Sequence, residues 1–203
     1  VVVSVTTDSG IIECGSLVLA CGGISYPLTG SSGEIFPLIK KLGHTVTPFA
    51  PALVPVELSD AFLPELAGLS LKNVTLKCVT DKGTYEEFGE MLFTHTGISG
   101  PITLTLSSLV NRCSVKEIVV DLKPALDIAA LEKRVLRDFD ENKNRKFINA
   151  LGGLFPKSLI PVIVKLSGIN PGKPVNSVTR EERTDFVKLI KNFPLTFKSL
   201  GSA

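Results

Sequence analysis

Residues 69–94 read Leu69-Ser70-Leu71-Lys72-Asn73-Val74-Thr75-Leu76-Lys77-Cys78-Val79-Thr80, then Asp81-Lys82-Gly83, then Thr84-Tyr85-Glu86-Glu87-Phe88-Gly89-Glu90-Met91-Leu92-Phe93-Thr94. Leu69, Leu71, Val74, Leu76 and Cys78 recur at close to every second position, the period of a strand with one buried face. Asp81-Lys82-Gly83 is turn chemistry, so the two runs predict an antiparallel hairpin. A lone hairpin is marginal in water and needs further strands or a covering helix. Both signals follow. Ser99 is the expected N-cap, and Pro101 a first-turn residue, of a helix reaching about Asn111. Residues 117–122 read as another strand.

From Asp127 the pattern turns helical. Asp127 caps a helix over 128–138; short helices are expected over 143–151 and 156–166. Thr179 with Glu182 forms a capping box for a helix ending near Lys191. Residues 193–197 start a strand. Upstream, residues 1–6 are rich in β-branched side chains, Asp8-Ser9-Gly10 turns the chain, and 11–14 returns. Ser16-Leu17-Val18-Leu19-Ala20 is a continuous apolar run, the signature of a strand buried on both faces in a parallel sheet. It ends at Gly22-Gly23. A Ser/Thr/Gly/Pro loop over 24–33 leads to a helix over 34–42, with Ile35, Leu38, Ile39 and Leu42 at helical spacing and Gly43 as C-terminal cap. Prolines at 48, 51, 55 and 64 imply an irregular crossing. A parallel-type strand and helix, then antiparallel β, then helices give an α+β fold with its main boundary near 45–50.

The bulk properties exclude several classes. The 203 residues are 44% hydrophobic and 21% charged, which suits a globular core rather than disorder. With 22 basic and 20 acidic residues, the charge favours neither nucleic acid nor a membrane surface as partner. No window approaches a membrane helix, and Val1-Val2-Val3-Ser4-Val5, without a basic n-region or a cleavage signal, does not read as a secretory leader. The chain opens on Val1 in mid-strand, which reads as an internal piece of a longer protein. Cys14, Cys21, Cys78 and Cys113 are scattered with no CxxC, so reduced thiols in the cytoplasm are expected. Two histidines, His44 and His95, are too few for a His-rich metal site, and no metal is expected.

Two stretches can carry chemistry. In Ala20-Cys21-Gly22-Gly23-Ile24-Ser25-Tyr26-Pro27-Leu28-Thr29-Gly30-Ser31-Ser32-Gly33, paired glycines at a strand end let a ligand approach the backbone, and the loop offers hydroxyls and amides. The alternative is a linker. No Lys follows the glycines as in a P-loop, and no GxGxxG occurs, so a complete dinucleotide-binding domain is absent. In Gly89-Glu90-Met91-Leu92-Phe93-Thr94-His95-Thr96-Gly97-Ile98-Ser99-Gly100-Pro101, a strand delivers His95 into a loop of small residues. His95 there is a proton donor, a ligand contact or a turn staple. The basic cluster Arg134, Arg137, Lys143, Arg145 and Lys146 is interleaved with acids and reads as a solvated helical face. No GxSxG nucleophile elbow is present.

These two stretches, with Lys41-Leu42-Gly43-His44 and Gly68-Leu69-Ser70-Leu71-Lys72-Asn73-Val74, resemble the bacterial aminoacetone-oxidase-like (BaiN-type) group of FAD-dependent oxidoreductases. Cys21 departs from the usual Thr, and Glu34-Ile35-Phe36 from Asp-Gly-Tyr. The resemblance implies a Rossmann-type FAD domain interrupted by an insert with a β-barrel-like piece and a helical bundle. Residues 1–47 would end the first FAD segment, 48–125 form the β piece, 126–192 the helical piece, and 193–203 return to the FAD domain. It implies FAD contacts at Gly22, Gly23, Ser25, Tyr26, Thr29, Gly30 and Ser31. It also implies a substrate-side loop of Thr94, His95, Gly97 and Ser99, with His95 the weak catalytic candidate. The partners expected are a small organic substrate or reduced nicotinamide and the rest of the FAD domain. The piece alone is expected to be inactive and without FAD. The competing reading is a non-catalytic ligand- or protein-binding module built on the barrel; a third is a structural shield for the flavin.

Overall fold

The computed structural model describes residues 3–201, which divide into two compact units, Val1–Phe49 and Ala50–Ala203. In the smaller unit, β1 (Ser4–Thr7) and β2 (Gly10–Glu13) form an antiparallel hairpin. The helix α1 (Ile35–Lys41) ends where the sequence places its stop. Gly43 has φ 90°, and the amides of Gly43 and His44 donate to the carbonyls of Lys40 and Ile39, a Schellman ending. The parallel strand expected over 16–20 is not formed. Those residues are irregular, with Val18 86% exposed. A strand buried on both faces needs paired neighbours on each side. The described part of this unit supplies one two-stranded hairpin and no buried residue.

The larger unit is built on a seven-stranded sheet. Its strands are β3 (Val56–Leu58), β4 (Ser70–Thr80), β5 (Thr84–Phe93), β6 (Gly97–Ser99), β7 (Val115–Asp121), β8 (Phe193–Leu195) and β9 (Phe197–Leu200). The order is β8-β7-β4-β5-β6-β3-β9, and each pairing is antiparallel. The hairpin of β4 and β5 forms as the alternation requires. The step from Leu71 to Val74 breaks the period of two because a bulge lies between them, with Asn73 at φ 53°. Thr80 closes the turn, its amide and hydroxyl both donating to Gly83 O at 2.9 Å.

The sheet ends β8 and β9 are joined by Thr196 alone, so the two edges are tied together and the sheet curls into a barrel. Asp60 holds this corner: its carboxylate accepts from the Thr196 amide and hydroxyl, each at 2.8 Å. Residues 193–200, expected to leave for a flavin domain, instead complete the barrel. Phe193 and Leu195 are apolar and buried, and their backbone pairs with β7. A short helix, α2 (Leu63–Leu66), follows β3; α3 (Pro101–Val110) places Ile102, Leu106 and Val110 in the core. The α3 N-cap is Gly100 at φ 95°, not Ser99, which is the last residue of β6.

The helices α4 (Ile128–Glu141), α5 (Phe147–Ala150), α6 (Ile160–Ser167) and α7 (Arg180–Lys191) form the second layer. Asp127 caps α4, accepting from the Ala130 amide at 2.7 Å. Phe186 sits among Phe147, Phe155 and Phe139, with ring centroids 5.3, 6.3 and 6.4 Å away. Barrel and helical residues share one continuous core.

The capping box forms as the sequence requires. Thr179 Oγ1 accepts from the Glu182 amide, and Glu182 accepts from the Thr179 amide. Lys173 Nζ donates to both Glu182 oxygens at 2.7 Å. These bonds, that from Lys173 first, hold the Glu182 carboxyl below its ordinary pKa. A carboxylate depressed in the folded state stabilises above its unfolded pKa, and that stabilisation is lost as pH falls through the folded value. Glu182→Gln is therefore expected to cost about 1 kcal/mol at neutral pH. Urea titrations should show the difference shrinking below about pH 4. A cost unchanged at acid pH would contradict the assignment.

Candidate functional site

The two sequence-marked stretches lie in different units. In the smaller unit, Pro27–Thr29 forms one 3-10 turn closed by Gly30 at φ 92°. The Tyr26 carbonyl accepts from the Thr29 amide (3.0 Å), the Thr29 hydroxyl (2.9 Å) and the Ser31 amide (3.2 Å). The Gly30 amide donates to Pro27 O at 3.1 Å. The hydroxyl of Thr29 and the amides of 29–31 thus hold the turn. The Ser25 and Ser31 hydroxyls make no hydrogen bond among the described residues, and Tyr26 is 73% exposed.

Gly22 and Gly23 differ. Gly22 has φ 72°, and a Cβ there would stand 2.6 Å from Ser31 Oγ, so its glycine is required by the loop itself. Gly23 has no such constraint: a Cβ there would meet nothing within 4 Å. Open space beside an unstrained glycine, uncommitted hydroxyls and exposed Ile24, Tyr26 and Leu28 suit one wall of a site for a large, flat, polar-edged group. They do not form an enclosing pocket among the described residues of this unit. The α1 start adds no side-chain cap.

In the larger unit, His95 and Thr96 are exposed at the tip between β5 and β6. Thr94 N donates to Gly97 O at 2.8 Å, and Leu58 N to Thr96 O at 3.0 Å. Gly97 is buried where β6 crosses β3: a Cβ there would collide with the Val56 carbonyl oxygen and lie 2.9 Å from Glu57 Cα. Gly89 makes room for Ile102 of α3, and Gly100 turns the chain at φ 95°. Ser99 contributes its carbonyl, which accepts from Thr103 Oγ1 at 3.0 Å. Three glycines of this stretch therefore serve the scaffold, and Thr94, His95 and Thr96 are its surface-facing polar groups. Glu57, paired in register with Gly97, is held below the ordinary carboxylate pKa by its bond from Lys198, then by that from Ser199.

A groove of about 420 Å³ beside β4, β7 and the end of α7 contains Lys77, Glu86, Asp121 and Lys191, paired as Lys77–Glu86 at 3.2 Å and Lys191–Asp121 at 2.5 Å. Burial, then nearby Cys113, pushes the Cys78 thiol up to about 11. Cys21 is exposed. Thiolate supply alone should make Cys78 about a hundredfold slower to alkylate than an ordinary thiol at mild pH, and its burial adds to the contrast with exposed Cys21. Mass spectrometry of a timed iodoacetamide reaction checks this; equal labelling in the folded chain would contradict the buried position. Among the described residues no group of three or more His, Cys, Asp or Glu could hold a metal. No helix there is long and apolar enough to cross a membrane.

The family described as HI0933-like protein barrel and H2TH domain matches residues 50–202. A 3-dehydro-bile acid delta(4,6)-reductase from Clostridium scindens is 27% identical over 186 residues, covering 90% of this chain and 46% of that protein. A ribosomal RNA dihydrouridine synthase from Haemophilus influenzae is 27% identical over 186 residues, covering 91% of this chain and 44% of its own length. Its namesake from Escherichia coli is 31% identical over 159 residues, 78% of this chain and 38% of the relative. The barrel with its helical layer, matched over most of its length, makes this chain a member of the HI0933-like flavoprotein family. The chain spans less than half the length of these curated relatives.

Proposed function

We propose that this chain is the inner part of a longer FAD-dependent oxidoreductase acting on a small organic substrate or reduced nicotinamide. Residues 1–47 are its flavin-domain segment, 48–125 with the returning strands at 193–200 its barrel, and 126–192 its helical layer. The observation that carries the reading is the loop at 22–31, where Gly23 is open and Ser25 and Ser31 keep free hydroxyls beside exposed apolar side chains. Bound FAD supplies the hydride chemistry. In this reading the Gly23 backbone lets the cofactor approach, and Ser25 and Ser31 donate hydrogen bonds to its polar edge. His95, free of scaffold bonds at the barrel tip, is the substrate contact in this reading. The four thiols, unpaired in the structure, fit a reducing compartment such as the cytoplasm.

The full-length protein is expected to be yellow, and its visible absorbance to bleach with a reductant. His95→Ala should lower turnover by about tenfold or more while leaving flavin content unchanged. A colourless full-length protein that takes up no flavin on reconstitution would contradict the proposal and favour a binding module. Unchanged kinetics would remove His95 from the site.

A further inference from the structure

Lys123 follows the last buried residue of the β7 segment, Leu122, and its ammonium has no carboxylate partner among the described residues. Its neighbours make this unusual. The Lys123 amide donates to Asp121 Oδ1 at 2.9 Å, but that carboxylate pairs with Lys191. The nearby cation Arg134 is bound to both oxygens of the buried Asp138, at 2.8 and 3.0 Å. The Lys123 ammonium stands 6.0 Å from the centre of the Phe155 ring. Burial first, then the Arg134 charge, holds its pKa below the ordinary lysine value. The site disfavours the cation it contains.

Lys123 also lines a cavity of about 150 Å³ between the barrel and the helical layer. Lys72 is the second charged residue on its wall and Ser70 a polar one; Leu71, Val74, Phe155 and Pro156 supply apolar parts of the lining. The fold brings the two lysines together. Lys72 lies in β4 and Lys123 two residues past the Thr75–Asp121 pairing of β4 with β7, and both line this cavity. Lys72 has one weak counter-charge, Glu90 at 3.9 Å on the exposed side. Two lysines therefore line one small space whose lining residues include no carboxylate.

We propose that this cavity is an oxyanion site that takes a phosphate group. A phosphate oxyanion answers the lysines and offsets the desolvation that Lys123 suffers unpaired. The volume admits a tetrahedral oxyanion with a bridging water, each water occupying about 30 Å³. Lysines bind phosphate as point charges and need no planar fork. The occupant is either free phosphate or one phosphodiester of a nucleic acid strand. The site stands on the larger unit alone and does not depend on the flavin reading.

The test uses the full chain at low ionic strength, with inorganic phosphate as probe in calorimetric titrations. Saturable binding is expected, weakened about tenfold or more in Lys123→Met and less in Lys72→Gln. Methionine keeps an unbranched apolar stem over Phe155 and removes the charge, so Lys123→Met should melt at or above the wild-type temperature. That separates lost binding from lost folding. A short oligouridylate that displaces phosphate would identify the phosphodiester as occupant; one that fails to displace it would identify free phosphate, and both support the site. Absence of saturable binding at about 10 mM phosphate, weaker than ordinary millimolar affinity, would overturn it. So would equal affinity in wild type and Lys123→Met.

Discussion

Gly97→Ala is expected to cost at least about 3 kcal/mol, or to leave the chain insoluble. The reason is where the new methyl group must go. It would collide with the Val56 carbonyl oxygen and press on Glu57 Cα, both backbone atoms of the neighbouring strand. A flexible side chain can swing away, but a paired strand cannot move without breaking its ladder. β3 is held on its other side by β9, so the strain would spread to the corner at Thr196 and Asp60. Gly152→Ala is the control: its added methyl meets nothing within 4 Å, and the change should stay within about 0.5 kcal/mol. Urea denaturation of the two variants checks both. A Gly97→Ala protein as stable as the control would show that β6 and β3 do not approach as described.

Phe186→Ala should be comparably damaging, costing about 3–5 kcal/mol. Phe186 is 1% exposed and touches three other phenylalanines, so truncation leaves a cavity that no neighbour can fill. Phe88→Ala removes the same ring from the outer face of β5, where it is 63% exposed, and should cost about 0.5 kcal/mol or less. The two layers share one core, so loss of the helical cluster should loosen the barrel too. Helical circular dichroism and alkylation of barrel residue Cys78 should then change at the same urea concentration. Separate transitions would mean that the layers unfold independently.

The elements readable from sequence are those whose stabilising contacts are local. The hairpin at 70–93, the Asp127 cap, the Thr179–Glu182 box and the Gly43 ending each depend on residues within a turn or two of one another. The misreadings need distant partners. Ser16-Leu17-Val18-Leu19-Ala20 has the composition of a buried strand, but pairing decides a strand, and the described residues of its unit provide no partner. The return of 193–200 into the barrel depends on pairing with β7 and β3, and on an Asp60–Thr196 clamp spanning 136 positions, which no local pattern reveals.

The site was legible in the same uneven way. Glycines mark both stretches in the sequence, but only the backbone angles and the space around each one separate roles. Gly22, Gly30, Gly97 and Gly100 serve the chain's own geometry through a positive φ or a close contact, while Gly23 has neither constraint. Ser99 looked like a cap and is a strand residue because the positive φ at the next position suits glycine. Lys123 carried no sequence signal. Its isolation arises when β4, β7 and the 154–156 segment meet.

The central claim is that a flavin lies against Gly23, and Gly23→Val in the full-length protein tests it most directly. A Cβ there meets nothing within 4 Å among the described residues, so the variant should fold with wild-type circular dichroism. Its bound flavin, measured from the visible absorbance per polypeptide, should fall about tenfold or more. A folded Gly23→Val protein carrying the wild-type complement of flavin would contradict the account.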